Sequence, residues 1–468
     1  MIPVLLTTDV LVWLLVAAVG AYFAYVRRQP HLLVPWRRVT RSASGMSALV
    51  VLAVFLAIGL LDSLHYRPAL ERGGEQGGTV YAVEALSVFD AIASPLRAHR
   101  ERTYSAPLAT RAYARETLEI PGADGRVRQM REYPRLAWGG AHLKDEAEHG
   151  KDVLLRTLSG LALALFAWGV LVAGVLAASG STWHAIWRAD TATPWWAVLL
   201  AAGLLLALAG PLLALCTGYH VFGTDKVGQD VLYLALKSIR TGLVIGTVTT
   251  LVLLPFAISL GIMAGYFRGW IDDVIQYIYT TINSIPGVLL IAAAVLLMQV
   301  YVDRHPELFP TSAQRADLRL LFLCIILGLT SWTGLARLLR GEALKLRELE
   351  YIQAAQAFGA RDSYIIGRHI LPNVMHIVLI SLVMDFSGLV LAEAVLSYVG
   401  VGVDPSMISF GTMINAARLE MSREPVVWWV LAAAFVFMFV LVLAANLFAD
   451  AVRDAFDPRV RVGGVASA

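Results

Sequence analysis

The ionisable side chains inside the apolar runs of this chain are the ones best placed to do chemistry. Asp385 and Glu393 lie eight positions apart in the apolar run 374–397, and His376 lies near its start. At about 100° per residue, eight positions leave the two carboxylates about 80° apart, on adjoining helix faces. A charge at bilayer depth costs at least about 2.5 kcal/mol, so each must face protein or water. Asp385 is a candidate for contact with a cationic or amine-bearing solute, and Glu393 for either that contact or a structural hydrogen bond.

The usual signatures of an enzyme are absent from the sequence. There is no GxxxxGK[ST] loop for ATP phosphates, no HExxH zinc motif, no GxSxG nucleophile turn and no dinucleotide fingerprint. The two cysteines, Cys216 and Cys324, lie in apolar runs without a CxxC partner or a nearby histidine, which is typical of buried, inert thiols. The sequence thus predicts no catalytic residue, no metal site and no cofactor held by this chain.

The composition predicts an all-α integral membrane protein. Only 16% of the 468 residues are charged and 58% are hydrophobic, whereas a typical soluble domain is about 25% charged. The net charge of +3 is too small over this length to indicate nucleic-acid binding. A bilayer core of about 30 Å needs about 20 helical residues. Nine apolar runs meet or approach that length: 9–26, 47–64, 153–178, 195–217, 242–266, 274–301, 318–339, 374–397 and 427–449.

The distribution of basic residues predicts the orientation of these spans. Arg27 and Arg28 follow the first run, with Arg37, Arg38 and Arg41 close behind, so the first connector is expected in the cytoplasm. Because the basic cluster follows the run and does not precede it, the run is not expected to be a signal peptide. Alternation then places the N-terminus outside and the C-terminus inside. Cytoplasmic connectors defined this way hold roughly twice as many Lys and Arg residues as the short outer loops.

The long connector 65–150 differs from the others in kind. It holds twelve basic and twelve acidic residues, a GGEQGG linker at 73–78, and a PGADG turn signal at 121–125 between two short alternating segments. These features predict a small extracytoplasmic α+β insert domain. It serves either as a spacer on the outer ends of the helices or as a docking surface for a binding protein.

A polar, helix-forming segment at 351–373 separates two membrane-spanning runs. Good helix formers occupy 353–357, Gly359 is suited to a left-handed helix stop, and Pro372 marks where a new span can begin. Small alanines allow close approach of another protein, and the charged side chains that follow keep the segment in water. The orientation derived above places the segment in the cytoplasm.

This segment resembles the EAA loop of permease subunits in binding-protein-dependent ABC importers, in particular the peptide-type C subunits. The Glu that names the loop is replaced here by Gln353. The resemblance implies a short coupling helix that sits in a groove of an ATPase. The residues it assigns to ATPase coupling are Tyr351, Gln353, Ala354, Ala355, Gly359, Ala360, Asp362, Leu371 and Pro372.

A second stretch is similar to the GTDxxGRD signature of the same family, with Gln229 in place of the usual Arg. One interpretation is structural, because Asp230 can cap the helical stretch that follows and the glycines permit a tight turn. The other is contact with a binding protein at the mouth of a pore. The residues assigned to the pore and its outer mouth are Gly223, Thr224, Asp225, Gly228, Asp230, Asp385 and Glu393.

Three further stretches match the family. The turn 265–272 (GYFRGWID) is expected at the cytoplasmic surface with its aromatic ring as an interfacial anchor. Pro286, in the stretch NSIP, is expected to bend the span 274–301 near its start. The stretch 446–459 resembles the C-terminal signature, a helix that leaves the membrane with charges of both signs.

The resemblance implies a six-helix type I ABC importer permease core within the nine spans. The predicted organisation is N-terminal spans in 1–64, the insert domain in 65–150, a transmembrane hairpin in 151–217, and the permease core in 218–468 with the coupling loop at 341–373. The first helix of the core is either the run 47–64 or the run 195–217.

The implied function is that of a transmembrane permease subunit for peptides or peptide-like solutes in the bacterial inner membrane. The implied partners are a homologous permease subunit, two ATPase subunits that bind ATP and Mg, and an extracytoplasmic binding protein. One alternative is an ion-coupled secondary transporter, although the inverted repeats typical of such folds are not visible. Another is a membrane-anchored receptor or assembly factor that acts through 65–150. Co-purification of a nucleotide-hydrolysing partner separates the first function from these two.

Overall fold

The computed structural model describes residues 2–70, 80–121, 127–180, 182–189, 191–305 and 311–456. Within these ranges, nine helices are long and apolar enough to cross a membrane, which confirms the predicted number. They are Thr7–Val26, Ala43–Asp62, Glu146–Ser179, Trp195–Cys216, Val231–Phe267, Gly287–Arg304, Ser312–Arg347, Asp362–Val399 and Trp429–Phe456.

The described residues are mostly helical, with a few short strands. The helices are α1 Thr7–Val26, α2 Pro30–Val39, α3 Ala43–Asp62, α4 Val88–Ile92, α5 Ser94–Ala98, α6 His149–Ser179, α7 Trp183–Trp187, α8 Trp195–Cys216, α9 Val231–Phe267, α10 Gly269–Ser284, α11 Gly287–Arg304, α12 Ser312–Ser331, α13 Thr333–Arg347, α14 Glu350–Ala357, α15 Asp362–Ile365, α16 Leu371–Val399, α17 Phe410–Glu420 and α18 Trp429–Phe456. The strands are β1 Ile2–Val4, β2 His65–Arg67, β3 Ala69–Leu70, β4 Val80–Tyr81, β5 Leu86–Ser87, β6 Glu116–Pro121 and β7 Val127–Glu132.

The sixth span differs from its prediction. Instead of one helix over 274–301 bent at Pro286, the chain forms α10, breaks at Ile285 and Pro286, and starts α11 at Gly287. Ile285 is extended, with φ −90° and ψ 131°, which is the conformation that a following proline favours. Pro286 then precedes the first turn of α11, where the missing N–H costs nothing. The proline therefore separates two helices, and the span is α11 alone.

The eighth span also begins earlier than predicted. The helix starts at Asp362 and continues through a π-helical turn, Ile366–Ile370, directly into α16. Leu371 donates its backbone N–H to the carbonyl of Ile366, five residues back. A π turn of this kind widens the helix just before Pro372, which has no N–H to donate to the preceding turn. Pro372 thus lies within a continuous helix and does not mark its start.

The strands form three small antiparallel sheets. The first has the order β1-β2-β5, the second pairs β3 with β4, and the third is the hairpin of β6 and β7. In the hairpin, Glu116 pairs with Glu132 and Pro121 with Val127, so the two predicted alternating segments do pair. The predicted linker at 73–78 and the residues 122–126 of the predicted turn lie outside the described residues.

The chain divides into two compact units. The first comprises Met1–Val4, Thr40–Thr241 and Ile408–Ala444. Its main apolar cluster is built around the fully buried Trp429, with Phe89, Tyr104 and Tyr233 close by. A second feature is the contact of α6 with α8, where a Cβ on Gly160 would lie 2.5 Å from the carbonyl oxygen of Gly210. These helices therefore approach each other backbone to backbone.

The second unit comprises Leu5–Val39, Gly242–Met407 and Ala445–Ala468. One apolar cluster joins the end of α9 to α13, α14 and the start of α16, with Ala343, Ile352, Ile365 and Ile370 fully buried in it. Another joins α9, α11 and α12 and includes the buried thiol of Cys324. The stretch 446–456 belongs to α18, and the remainder of the predicted C-terminal signature lies outside the described residues.

Candidate functional site

The polar segment between α13 and α16 forms a short helix with a sharp stop, as its sequence predicts. Helix α14 ends at Ala357, and Gly359 adopts φ +77° in the left-handed region. A Cβ built on Gly359 would have no atom within 4 Å, so only the backbone conformation requires glycine. The N–H of Ala360 then donates to the carbonyl of Ala355, 3.0 Å away. This hydrogen bond ends α14, and the chain turns directly into α15.

Helix α14 has one face that packs against the rest of the chain and another face that is exposed to solvent. Ile352 is fully buried, and Ala355 and Ala360 pack partly buried against the same apolar cluster. Gln353 and Ala354 are exposed. Of the predicted coupling residues, Ala355 therefore serves the internal packing more than an external face.

Sequence reasoning missed Phe358, the most exposed large apolar residue of the segment. Its side chain is 91% exposed at the tip, immediately before the left-handed Gly359. An exposed aromatic ring is costly in water and is a common anchor at protein interfaces. The signal was present in the sequence as a lone aromatic residue between small and polar neighbours.

Tyr266 connects the end of α9 to this segment. Its side chain is only 3% exposed, and its hydroxyl donates to Asp362 Oδ1 at 2.6 Å. The same hydroxyl accepts from Gln356 Nε2 at 3.1 Å, and the carbonyl of Tyr266 accepts from Arg347 at 2.7 Å. Tyr266 is therefore a buried connection between the two segments, whereas Trp270 of the same turn is 75% exposed, so the expected aromatic anchor at the membrane interface stays a prediction for Trp270. The predicted coupling residue Asp362 acts here as the acceptor that holds α15 to α9.

The rest of the turn 265–272 fixes the same end of α9 against α13. A Cβ on Gly265 would lie 2.6 Å from the carbonyl oxygen of Arg340, so only glycine allows this approach. Arg340 forms two parallel bonds of 2.6 Å to the carboxylate of Asp272, which lowers the pKa of that carboxyl. The turn and the coupling segment are thus two parts of one bonded structure.

The first residue of the segment, Tyr351, contacts the residues at the start of α16. Asn373 Nδ2 lies 3.2 Å from the hydroxyl of Tyr351, and the ring of Tyr351 packs on His369 with centroids 5.8 Å apart. Leu371 is half-buried and Pro372 is exposed. The structure therefore brings the predicted coupling residues Tyr351 to Pro372 into one compact substructure.

The predicted outer turn is built as a helix cap. Asp230 Oδ1 accepts from the backbone N–H groups of Leu232 and Tyr233 at 2.8 and 3.2 Å, as the structural interpretation predicts. Asp225 Oδ1 accepts from the N–H groups of Val227 and Gln229 at 2.9 and 2.8 Å. These carboxylates satisfy backbone donors that the turn and the first turn of α9 leave unpaired.

Residues of the connector 65–150 cover this turn. Thr224 is fully buried, accepts from the N–H of Ser105 at 2.7 Å, and donates to the carbonyl of Thr103 at 2.9 Å. A Cβ on Gly228 would lie 1.9 Å from the carbonyl oxygen of Glu101. Gly223, Thr224, Gly228 and Asp230 are all buried. Only the neighbouring side chains of Lys226 and Val227 are exposed there.

A buried charge network lies beneath the turn, and sequence reasoning did not find it. His220 Nδ1 lies 2.7 Å from Asp230 Oδ2, and His220 Nε2 lies 3.5 Å from Glu101 Oε1. Burial disfavours the imidazolium, but these two carboxylates outweigh it and raise the pKa of His220 to about 9. Burial also opposes ionisation of Glu101, yet His220 and three N–H groups of residues 137–139 lower its pKa to about 2.

A second network ties α3 and α4 to α9. Lys237 Nζ lies 3.1 Å from Asp62 and 2.5 Å from Asp90, and the hydroxyl of Tyr233 donates to Asp90 at 2.7 Å. Burial opposes ionisation of Asp90, but pairing with Lys237 gives a net lowering of its pKa. Ser87 adds a hydrogen bond of 2.6 Å to Asp62. The network joins residues up to 175 positions apart, which no local pattern indicates.

The two carboxylates of α16 occupy different environments. Glu393 is 1% exposed and accepts from the hydroxyl of Ser397 at 2.7 Å, which fits its structural interpretation. Asp385 is exposed on the surface of the chain. Across the residues that the structure describes, no three His, Cys, Asp or Glu side chains converge as a metal site.

Comparison with known proteins identifies a protein family for the second half of the chain. Residues 257–462 match the family model described as "Binding-protein-dependent transport system inner membrane component". A solved structure of the inward-facing MetNI methionine ABC transporter covers 48% of this chain and 98% of its own chain, with 18% identity and a TM-score of 0.37.

Curated relatives are more similar in sequence. The glutathione transport system permease protein GsiD of Pectobacterium atrosepticum is 33% identical over 242 residues, which are 52% of this chain and 73% of the relative. The oligopeptide transport system permease protein OppC of Mycobacterium bovis is 31% identical and the dipeptide transport system permease protein DppC of Lactococcus lactis 30% identical, over 52% and 51% of this chain and 77% and 64% of their own lengths. With the family model and relatives of this identity and coverage in agreement, the chain belongs to the family of binding-protein-dependent transport system inner membrane components, as its loop motif predicts.

Proposed function

We propose that the chain is the permease subunit of an ATP-driven importer for peptides or peptide-like solutes. Its relatives carry the names of glutathione, oligopeptide and dipeptide transport permeases, which supports this solute class. The single observation that carries the coupling function is the geometry of α14. This short helix ends in an exposed aromatic residue, Phe358, and is bonded through Tyr266 to a membrane span.

Coupling requires a docking surface and a rigid connection to the spans. Phe358 and the exposed alanine Ala354 provide an apolar, closely approachable surface for an ATPase groove. Tyr266 and Ile352 provide the connection, because the first bonds α14 and α15 to α9 and the second is buried against the ends of the spans. A displacement of the ATPase would therefore move α9 and α16 together with the segment.

The complete transporter in this proposal contains further subunits. A homologous permease completes the path, two ATPase subunits bind and hydrolyse ATP with Mg, and an extracytoplasmic binding protein delivers the solute. This chain holds no cofactor. It is a multi-pass protein of the bacterial inner membrane with the N-terminus outside and the C-terminus in the cytoplasm, which the excess of basic residues in alternate connectors supports.

The outer side of the chain is assigned by the same orientation. The connector 65–150 and the turn 223–230 lie outside the membrane, at the mouth of the path. Because the carboxylates of Asp225 and Asp230 in the turn are bonded to its own backbone, contact with a partner there would use the exposed Lys226 and Val227. Of the two candidates for the first helix of the core, we propose α3, and the pairing of Asp62 at its end with Lys237 of α9 supports this choice.

The coupling proposal is tested by purifying the tagged chain from its native membrane together with its partners. We expect a nucleotide-hydrolysing subunit to co-purify with the natural sequence and to be largely lost with Phe358→Asp, because a charge replaces the apolar anchor. Phe358→Ala should give an intermediate loss.

Val83→Asp is the matched control, since Val83 is an apolar residue that is 83% exposed in the connector 65–150, outside the membrane-spanning helices. It should leave the amount of co-purified ATPase unchanged. Undiminished co-purification and ATP-driven uptake in Phe358→Asp would show that the segment does not dock the ATPase.

A further inference from the structure

A basic cavity of about 670 Å³ lies between α13, α16 and α18, at the helix ends nearest the coupling segment. Arg337, Lys345, His376 and Arg453 line it, and among the described residues the only carboxylate in its wall is Glu342. Glu342 is paired with Lys345 at 3.1 Å, so the two arginines determine the net charge of the wall. The cavity is therefore suited to an anion.

The cavity is partly preorganised. The guanidinium carbon of Arg337 lies 5.4 Å from the centre of the Tyr279 ring, which fixes this side chain by a cation–π contact. Ser381 adds a hydroxyl, while Ile377 and Ile380 form an apolar wall. A ligand that combines an acidic group with a short apolar body would satisfy both parts of the lining.

Asp385 follows the cavity along the same helix. It lies outside the lining, one turn beyond Ser381 and about 40° around α16. At 1.5 Å per residue, it is about 6 Å above the level of Ser381 and about 14 Å above that of His376. An extended peptide of two to four residues spans about 7 to 14 Å, so its ends match these separations.

We propose that this cavity is a carboxylate subsite of the translocation path, and that together with Asp385 it holds a zwitterionic peptide by both ends. The ammonium group pairs with Asp385 and the carboxylate with Arg337 and Arg453. This inference rests on the proposed function of the chain. An anionic lipid headgroup could also bind the two arginines through its phosphate or carboxylate group. It would not pair with the acidic Asp385, which lies one turn further along the exposed face of α16.

The test measures equilibrium binding to the purified permease–ATPase complex in detergent, without a binding protein. The probes are radiolabelled dialanine, its C-terminal amide, and its N-acetyl derivative. In the variant Arg337→Gln/Arg453→Gln, we expect the affinity for dialanine to fall at least about tenfold, which is about 1.4 kcal/mol. The affinity for the amide should not change, because the amide lacks the carboxylate that the arginines bind.

The opposite end is tested with Asp385→Asn. This variant should bind dialanine more weakly and leave binding of N-acetyl-dialanine unchanged, because the acetyl group removes the ammonium charge. The charge-matched control is Arg28→Gln/Arg188→Gln, two exposed arginines outside the cavity, which should bind all three probes as the natural sequence does.

Several results would overturn the inference. Equal loss of dialanine and its amide in the double variant would indicate a general structural defect. If phosphatidylglycerol were the only ligand found to bind in the cavity, the cavity would be a lipid site. Absence of saturable dialanine binding to the natural sequence would exclude the subsite. It would not exclude the proposed function, which is tested separately by co-purification of an ATPase.

Discussion

At the scale of single residues, the hydroxyl of Tyr266 has the clearest functional consequence. Tyr266→Phe keeps the buried ring and removes the bonds to Asp362 and Gln356. A buried hydrogen bond contributes about 1 kcal/mol, so the spans should remain folded while the coupling segment loosens. We expect faster hydrogen exchange of the amides in 353–362 and a several-fold lower ratio of solute uptake to ATP hydrolysis.

The matched control is Tyr277→Phe, because Tyr277 is 73% exposed on the neighbouring helix α10. It should change neither hydrogen exchange in the segment nor the coupling ratio. Unaltered hydrogen exchange in Tyr266→Phe would contradict the proposal that the hydroxyl of Tyr266 holds the coupling segment to α9.

The charge network at His220 predicts a pH dependence of stability. The pKa of His220 is raised from its ordinary value of 6.5 to about 9 in the folded chain, so its stabilisation is complete below about pH 6.5 and is lost as pH rises through 9. Glu101, with its lowered pKa of about 2, loses its contribution only at strongly acidic pH. The affected window is therefore pH 6.5 to 9.

We expect the midpoint of thermal unfolding in detergent to fall more steeply across this window in the natural sequence than in His220→Asn. The asparagine variant retains a donor for Asp230 and has no titrating group. Taking the difference between the two proteins removes the titration of other side chains. Parallel pH profiles would show that His220 is not charged in the folded chain.

Residue types were readable from the sequence, but residue partners were not. Asp230 was predicted as a helix cap because a cap depends on neighbours two and three positions away, and those bonds are present. The partners of Tyr266 lie 90 and 96 positions away, so no local pattern indicates them. The sequence therefore gave no indication that the ring of Tyr266 is buried against the coupling segment.

At the scale of elements, hydropathy predicted the number of spans but not their ends. Apolar length alone determines whether a helix can cross, and that information is local. The ends depend on caps and breaks: α9 begins eleven residues before its apolar run because Asp230 caps it there. The break at Pro286 and the π turn before Pro372 show that the same residue type ends one helix and is accommodated in another.

The packing of α6 on α8 gives a prediction for a whole element. A Cβ on Gly160 would meet the carbonyl oxygen of Gly210 at 2.5 Å and the Cα of Pro211 at 2.8 Å, and neither backbone atom can move away alone. Gly160→Ala should therefore separate the two helices and lower the midpoint of thermal unfolding by several degrees.

Gly174→Ala is the control on the same helix, since a Cβ there has no atom within 4 Å. Alanine is the better helix former by about 1 kcal/mol, so this variant should be as stable as the natural sequence or more so. Equal destabilisation by both substitutions would show that the close approach of α6 and α8 does not matter.

At the scale of the whole molecule, the sequence similarity to the curated relatives extends over about half of the chain. The similarity covers 52% of the chain, and the family model begins at residue 257. The remaining half includes α1, α6 and α8 and the connector 65–150, which is bonded to the outer turn through Glu101 and Thr224. The sequence indicated that this region was an addition, but its bonds to the turn became visible only in the fold.

The orientation of the whole chain is the last testable consequence. In a background of Cys216→Ala and Cys324→Ala, two exposed positions report the two sides: Val83, which is 83% exposed, and Phe358, which is 91% exposed. A membrane-impermeant maleimide should label Val83→Cys on intact spheroplasts and Phe358→Cys only after permeabilisation. The reason is the excess of basic residues, which retains the connectors next to Phe358 in the cytoplasm. Labelling of Phe358→Cys on intact spheroplasts would reverse the orientation and remove the coupling segment from the reach of any cytoplasmic ATPase.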